Sequence, residues 1–512
     1  MALKFPLSLG AICVAVALQA YAEEQTTLDT ITVTDTEIKA SQIKKTRKVI
    51  QEELVADNYD LVRYATDVGI SDNGRRNKGF AMRGVEGNRV GISIDGVNLP
   101  ESEENSLYAR YGNFNSSRLS IDPELVQGID IMRGADSFNA GSGSLGGSVN
   151  YRTLGADDII LPGKKWGVLL KNGYASKNRE WTHTVGTAYK DDKFDATLLY
   201  SYRNGHEMKS RGTGADILGS ARGIPDPSHH KNHSYLAKFA YRFNDSHRVG
   251  VSYSGSHNKN YVIEDSATTT PSAWREADDR AKRDTINIFY EYMPDSKIIA
   301  LVKTDLDYQK TETSAINDEG LRSKDDGGPF YKDVKTPNDR NIRIFNTKFK
   351  RINFRIDSQP LTLRNTTHTL SFKTSFSERE FDVLHKDSYF DEKTWSYGQE
   401  FLETMMMPVK THHHFMSLKD NVEFTPEWKG HLGLRYDWAK HEQQSLNGLA
   451  CKPCRKVDNA KFHNISWTAG IEKTINDDWK LGYNLGTGFR IPNASEMYFD
   501  YRNNPAGAWM SN

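Results

Sequence analysis

From residue 165 onward, apolar and polar residues alternate along short segments of the chain. A period of two residues is typical of a β-strand with one apolar face and one polar face. We therefore predict a series of antiparallel strands over residues 160–512. The apolar faces are carried by Phe194, Ala196, Leu198, Tyr200 and Tyr202; by Tyr235, Ala237, Phe239, Tyr241 and Phe243; by Ala300, Val302, Leu306 and Tyr308; and by Leu432, Leu434, Tyr436 and Trp438.

The connections between these segments alternate in length. Short turns are predicted at 191–192, 244–246, 294–296, 364–366, 426–427 and 476–478, and long polar loops at about 203–234, 255–284, 309–340, 378–411 and 440–463. Outer-membrane barrels have short turns on one side, long loops on the other and aromatic residues at strand ends. A soluble sandwich also alternates, but several loops of roughly 25–35 residues are unusual there. The pattern favours an all-β transmembrane barrel.

The N-terminus predicts export. Lys4 precedes an apolar stretch over 7–18, and Ala20 and Ala22 are the small residues that a signal peptidase reads. Residues 1–22 are therefore interpreted as a signal peptide rather than a buried helix. Residues 23–50 have few large apolar residues and are predicted to form a periplasmic tail. The tail contains a β-prone hexamer that can extend a partner's sheet: Asp29, Thr30, Ile31, Thr32, Val33 and Thr34.

Residues 51–155 predict a compact α+β domain. Short β-prone segments such as 89–96 and 127–134 are followed by a glycine-rich stretch, 141–147. This stretch lacks the Lys-Ser/Thr pair of a phosphate-binding loop and leads into a strand rather than a helix. It therefore indicates tight turns and not a nucleotide site.

Composition excludes several function classes. The chain of 512 residues has 67 Lys and Arg against 67 Asp and Glu, so it lacks the basic excess of a nucleic-acid-binding protein. A charged fraction of 26% and a mean hydropathy of −0.67 exclude a bundle of membrane-spanning helices. We find no catalytic triad, no paired carboxylates in a defined setting and no nucleotide loop, and we expect no enzymatic activity and no intrinsic cofactor.

Three cysteines are present, and Cys13 leaves with the signal peptide. Cys451 and Cys454 form an isolated C-x-x-C. Zinc requires four ligands, and the histidine of a haem-attachment motif is missing. In an exported protein the pair predicts a small disulfide.

Taken together, these segments resemble the TonB-dependent outer-membrane receptors of Gram-negative bacteria, most closely the haemoglobin and haem receptors. Residues 29–34 resemble the TonB box, and residues 133–137 with 143–150 resemble the plug signature. Residues 489–496 resemble a motif of the haem receptors. Further similarity to the plug of haemoglobin receptors is found at 60–64, 83–90, 94–100 and 106–115.

The resemblance implies a plug domain inside a barrel in the outer membrane, with lipid around the strands. It also implies a TonB complex that engages residues 29–34, and haemoglobin or haem as the ligand, with haem as transported cargo. Haem requires aromatic faces, cations for its propionates and His or Tyr for its iron. The candidate ligand-binding residues in the plug are Tyr108, Arg110, Tyr111 and Phe114. Packing of the same aromatic residues against the barrel wall is the alternative.

The histidines depart from the family pattern. None lies in 23–182 or in 489–512, which argues against haem capture between two histidines. His229, His230 and His233 are further ligand-binding candidates at the end of the predicted 203–234 loop, and His412–His414 begin a strand. The identity of any metal is left open. The acidic residues Glu101, Glu103 and Glu104 are expected to form a solvated plug loop.

The barrel is expected to be incomplete. The turn spacing gives about 13 strands, against about 22 in large barrels of this class. The last residues, Met510–Asn512, also lack the terminal aromatic of a closing strand. We therefore expect a C-terminally truncated receptor that does not transport as it stands. The alternatives are a receptor for transferrin or a siderophore and a non-transporting adhesin or porin remnant.

Overall fold

A computed structural model describes residues 42–72, 77–103, 118, 121–210, 214–268, 270, 272–324, 333–446, 448–451, 454, 456–502 and 509–511. The predicted signal peptide, the 29–34 hexamer, Glu104 and the candidates Tyr108, Arg110, Tyr111 and Phe114 lie outside these residues.

The N-terminal part of the described chain is an α+β domain, the plug. Its elements are β1 (Gln42–Thr46), α1 (Arg47–Glu52), α2 (Asn58–Leu61), β2 (Val68–Asp72), β3 (Asn77–Met82), β4 (Val85–Glu86), β5 (Val90–Ile94), β6 (Val97–Asn98), β7 (Val126–Arg133), α3 (Ser137–Ala140) and β8 (Gly147–Thr153). The main sheet has the order β1-β7-β8-β5-β6, with β5 parallel to β8, and β2-β3-β4 form a smaller sheet.

The plug has its own apolar core. Phe80, Met82, Ile129, Ile131 and Tyr151 are among its most buried side chains. Because β1 pairs with β7, the sheet begins at Gln42, ahead of the expected boundary at 51. The plug is therefore a folded domain and not a loose insert.

The remaining strands form the barrel wall. They are β9 (Trp166–Ala175), β10 (Glu180–Lys190), β11 (Phe194–His206), β12 (Ser228–Arg242), β13 (His247–Ile263), β14 (Ala273–Tyr292), β15 (Ile299–Lys324), β16 (Asp333–Ser358), β17 (Leu361–Leu363), β18 (Thr366–Asp391), β19 (Ser396–Tyr397), β20 (Phe401–Thr404), β21 (Val409–Glu423), β22 (Trp428–Gln443), β23 (Ala450–Cys451), β24 (Ala460–Thr474) and β25 (Lys480–Gly486). They are followed by α4 (Ala494–Tyr498), β26 (Asp500–Arg502) and β27 (Trp509–Ser511).

Thirteen of these wall strands have seven or more residues, as the turn spacing predicted: β9 to β16, β18, β21, β22, β24 and β25. Antiparallel register links them in this order from β9 to β25. The strand number expected from the sequence is therefore confirmed, and the described residues include no register between β25 and β9.

The alternation predicted from the sequence is confirmed by exposure. Leu198 and Leu434 point outward and are exposed, whereas their neighbours Thr197 and Arg435 point inward and are buried. A belt of exposed apolar residues on the outside of a sheet fits hydrocarbon and not water. The belt therefore marks the membrane-facing surface. No helix in the described ranges is long and apolar enough to cross a membrane.

The predicted short turns are confirmed, but the predicted long loops are wrong in extent. β15, β16 and β18 each have 26 residues, so most of the expected 309–340 and 378–411 loops is strand. Beyond the apolar belt both faces of a strand meet water, and the alternation that signals a strand disappears. Backbone pairing continues there without a sequence signal.

Candidate functional site

The 489–496 segment binds the plug from the barrel side. A capping box begins α4: the N–H of Glu496 donates to Asn493 Oδ1 at 2.8 Å, and the N–H of Asn493 donates to Glu496 Oε2 at 2.9 Å. This box fixes the direction in which the chain enters the helix. The residues before it bond to the plug.

Several hydrogen bonds join this segment to plug residues. The N–H of Phe489 donates to Ser137 Oγ at 2.9 Å, and the N–H of Ile491 donates to Ser142 Oγ at 2.8 Å. Asn493 Nδ2 donates to the carbonyl of Ser102 at 2.9 Å. The two segments that resembled the receptor family are therefore in direct contact, although they are more than 340 residues apart in the chain.

The acidic residues 101 and 103 belong to the same contact, which corrects the expectation of a solvated loop. Glu103 accepts from Arg379 Nη2 at 2.6 Å and from the N–H of Ser495 at 2.8 Å, and its side chain is fully buried. Glu101 accepts from Arg490 at 3.0 Å. Burial raises the pKa of Glu101, although the charges of Arg490 and Arg379 oppose this. Sequence alone could not reveal these cations because they lie in the barrel.

A second buried ion cluster joins the plug to strand β11 of the wall. Arg203 of β11 donates to Asp122 at 2.6 Å and to Glu180 at 2.9 Å, and it also donates to the carbonyl of Ala56 at 2.6 Å. Burial acts to raise the pKa of Asp122, but the guanidinium of Arg203 and nearby hydrogen-bond donors lower it overall. The plug is thus held by buried charges at two separated points.

A cavity of about 460 Å³ lies between the plug and the wall strands β15 to β22. Asp95, Asn98 and Glu101 line its plug side. The cations that line it are Lys303, Arg351, Arg355, Lys373, Arg379 and Arg435. Several are neutralised locally, as in the pairs Arg351–Asp307 and Arg435–Asp437, both at 2.7 Å. The cavity is therefore a space beside the plug that is lined by charged side chains.

Two histidines that the sequence analysis did not select also line this cavity. His413 Nε2 lies 2.9 Å from Asp437 Oδ1. His441 has Thr411 Oγ1 within 2.7 Å of Nδ1 and the carbonyl of Pro492 within 3.1 Å of Nε2. Both ring nitrogens of His441 are thus engaged, which fits a structural role. The alternation of inward-facing and outward-facing positions along β21 and β22 was the sequence signal that could have predicted that both histidines point into the barrel.

The candidates His229, His230 and His233 lie in strand β12 and not in a loop, which corrects their predicted position. His230 bonds to Glu180 at 2.7 Å inside the barrel, whereas His229 and His233 bond outward to Asn204 and Tyr200. Neighbouring residues of a strand point to opposite faces, so the three rings do not converge. Among the described residues, no group of three or more His, Cys, Asp or Glu is arranged to hold a metal ion.

Cys451 and Cys454 are joined in a disulfide, with 5.4 Å between their Cα atoms. The bond lies beside β23, in the connection between β22 and β24. It restrains this connection and does not reach the cavity.

The wall strands are antiparallel, carry a belt of exposed apolar residues on their outer face and surround a folded plug. This arrangement defines a plugged outer-membrane β-barrel. Residues 226–512 match the family described as TonB dependent receptor-like, beta-barrel, and residues 33–148 match the TonB-dependent Receptor Plug Domain. The first match alone spans more than half of the chain, and the chain therefore belongs to the TonB-dependent receptor family.

The chain is also similar to curated receptors. It is 34% identical over 314 residues to the hemoglobin-haptoglobin utilization protein B of Neisseria meningitidis, covering 53% of this chain and 39% of that protein. It is 31% identical over 349 residues to the hemoglobin-binding protein A of Haemophilus influenzae, covering 65% of this chain and 33% of that protein. The chain thus spans between a third and two fifths of the length of these relatives.

Solved structures share the fold. The copper transporter OprC matches with a TM-score of 0.64 at 14% identity, covering 90% of this chain and 65% of that one. The FrpB iron transporter from Neisseria meningitidis matches with a TM-score of 0.60 at 21% identity, covering 88% of this chain and 64% of that one. At these identities the likeness concerns the fold alone.

Proposed function

We propose that this chain is the plug and part of the barrel of an outer-membrane receptor that binds haemoglobin or haem and imports haem iron with energy transduced by TonB. The observation that carries the proposal is the similarity to haemoglobin receptors combined with a plug held inside the barrel by the 489–496 segment. A porin remnant would not need a plug attached by buried charges.

In this proposal the ligand binds at the long-hairpin end. The proposed plug contacts are Tyr108, Arg110, Tyr111 and Phe114. Aromatic side chains can stack on the planar haem, and a cation can pair with its two propionates. Residues 29–34 pair with TonB, since backbone hydrogen bonds extend a sheet almost regardless of side chain. Force on this hexamer then moves the plug and widens the polar cavity beside it. Haem is cargo here, and the chain needs no cofactor of its own.

Ligand choice is tested by retention of the membrane-inserted chain on haemoglobin beads compared with transferrin beads. Retention on haemoglobin supports the proposal. Retention only on transferrin would assign the receptor to another iron source.

Energy coupling is tested with Ile31→Pro, which removes a backbone donor and fixes φ. The matched control is Ile31→Ala, which keeps the backbone N–H. In a version extended to full receptor length, haem-dependent growth should fail with proline and persist with alanine. Growth with both variants would exclude TonB pairing through this hexamer.

A further inference from the structure

The outward faces of strands β9 to β12, all of which the structure describes, carry no carboxylate. The carboxylates of these strands are Glu180 and Asp195. Both point into the barrel, where each pairs with an arginine. Beyond the apolar belt, β11 and β12 present outward side chains that can donate hydrogen bonds. We call this set the imidazole face: Tyr202, Asn204, His206, His229, Lys231 and His233.

The imidazole face lies where the hydrocarbon layer ends. Phe194 and Tyr241 are paired in register and exposed beside the short turns, at one margin of the belt. Asn204 and Lys231 are paired ten residues further along the same two strands. At about 3.3 Å per residue and a tilt of about 40°, this distance is about 25 Å across the membrane, the height of the apolar band of a barrel. Because the short turns of such barrels face the periplasm, the imidazole face meets the headgroups of the outer leaflet.

The side chains on this face change from aromatic to cationic with distance from the belt. From the belt outward, register pairs Tyr200 with Tyr235, Tyr202 with His233, Asn204 with Lys231, and His206 with His229. Tyrosine is typical of the level where acyl chains meet headgroups, and lysine of the level of the lipid phosphates. The order of residues therefore follows the polarity gradient of a membrane interface.

Hydrogen bonds and ring contacts within the face hold the imidazoles in place. His229 Nε2 lies 2.6 Å from Asn204 Oδ1, and the His229 ring lies 5.2 Å from that of His206. His233 Nδ1 lies 2.8 Å from the hydroxyl of Tyr200. When this hydroxyl donates to Nδ1, the ring proton of His233 is on Nε2, where it can be donated to a ligand. Groups that are ordered before binding lose less entropy when a ligand docks.

The neighbouring strands show how carboxylates occupy such donors. On β13, His257 bonds to Asp284 at 3.0 Å, and Lys259 pairs with Asp278 at 3.1 Å. Lys231 is the cross-strand neighbour of Lys259 and is exposed, but among the described residues no carboxylate pairs with it. The imidazole face is therefore a part of the interface whose cation is not neutralised within the chain.

We propose that the imidazole face binds the phosphate groups of a phosphorylated glycolipid in the outer leaflet, with Lys231, His229 and His233 as the phosphate contacts. Phosphate oxygens accept hydrogen bonds and carry negative charge, so a surface of donors without carboxylates suits them. The face is continuous with the lipid-facing belt, which places a lipid headgroup against it. This inference concerns the surrounding lipid and does not depend on which ligand the receptor imports.

The test measures retention of lipid A, a bisphosphorylated glycolipid, by the full chain in a neutral detergent, using native mass spectrometry. The wild type should retain lipid A and should bind the dephosphorylated glycolipid about tenfold or more weakly. Lys231→Gln should weaken lipid A binding about fivefold or more, because it removes the cation at the phosphate level. Lys231→Arg keeps the charge and should bind as the wild type does.

The matched control is Lys410→Gln. Lys410 is also an outward lysine, on β21, but it pairs with Glu380 at 3.0 Å, and its loss should leave lipid A binding unchanged. Replacing His229 and His233 with Gln should weaken binding as well. If that double variant does not fold, the comparison of Lys231→Gln with Lys231→Arg decides the question.

Equal retention of lipid A by the wild type and Lys231→Gln would overturn the inference. Equal retention of lipid A and its dephosphorylated form would do the same, because it would show that phosphate is not recognised. Binding of free haem that depends on Lys231, in place of lipid A, would assign the face to a different anion.

Discussion

The backbone N–H of Ser495 donates to the carboxylate of Glu103 at 2.8 Å, joining the start of α4 to the plug. Glu103 is fully buried and also accepts from Arg379. One plug side chain thus satisfies a helix N-terminus and a barrel cation together. Any movement of the plug must break this contact.

Glu103→Ala should therefore loosen the plug. Loss of a buried acceptor from a guanidinium and an amide costs about 3 kcal/mol. Hydrogen exchange of the β7 and β8 amides should accelerate accordingly, while the barrel strands keep their protection. Glu52→Ala is the control, because its ion pair with Lys48 is long, at 3.9 Å, and exposed. The control should change the free energy of amide opening in the plug by less than about 0.5 kcal/mol. Equal effects of both variants would argue against a latch at Glu103.

Acid should weaken the second attachment, at Asp122 and Arg203. The pKa of Asp122 in the folded protein lies below its unfolded value, which is about 3.9. The ion pair therefore stabilises the docked plug above about pH 4, and this stabilisation is lost as the pH falls further through the folded pKa.

Asp122→Asn should remove this part of the acid dependence, as measured by hydrogen exchange of plug amides between pH 3 and pH 6. Asp245→Asn, in an exposed turn, should keep the wild-type profile. A wild-type acid profile in Asp122→Asn would assign the acid sensitivity to other groups.

Gly147→Ala should disrupt the plug sheet. At φ +145° an added Cβ would lie 2.1 Å from the carbonyl oxygen of Met132, which is backbone and cannot rotate away. We expect a loss of at least about 3 kcal/mol. Gly134→Ala is the matched control, since φ is +96° there but the space is open. It should cost about 1 kcal/mol of backbone strain alone. Denaturant unfolding of the plug compares the two, and a similar loss in both would exclude the steric explanation.

Leu434→Arg should impair insertion of the barrel. Leu434 is exposed near the middle of β22, within the apolar belt. A cation there costs about 2–4 kcal/mol in hydrocarbon. Ile217→Arg places the same charge at an exposed residue outside the strands and should have no effect. The measurement is the fraction of each variant that is folded in membranes, detected by its heat-modifiable mobility. Normal insertion of the Leu434 variant would contradict the assignment of this face to lipid.

Much of the fold could be predicted from the sequence because the membrane enforces a strict two-residue period. Leu198, Leu434 and their neighbours had to face lipid, so the outward faces, the short turns and the number of strands followed from the pattern. Outside the belt this constraint ends. The 26-residue strands β15, β16 and β18 consequently looked like loops.

The candidate site was less predictable. The family-like segment 489–496 stood out in the sequence, but its partners Ser137, Ser142 and Glu103 are distant in the chain. Glu101 and Glu103 looked like a solvated acidic run because their cations, Arg490 and Arg379, belong to the barrel. His230 and His233 looked like one cluster until strand pairing placed them on opposite faces.

The sequence by itself determined the family, the alternation of lipid-facing and lumen-facing residues and the disulfide candidate, because each depends on neighbouring positions or a local period. The export signal stays a prediction from the sequence. The tertiary structure decided which charges are buried and which histidines line the cavity. These depend on contacts between residues that are tens to hundreds of positions apart, and only the folded chain brings such residues within hydrogen-bonding distance.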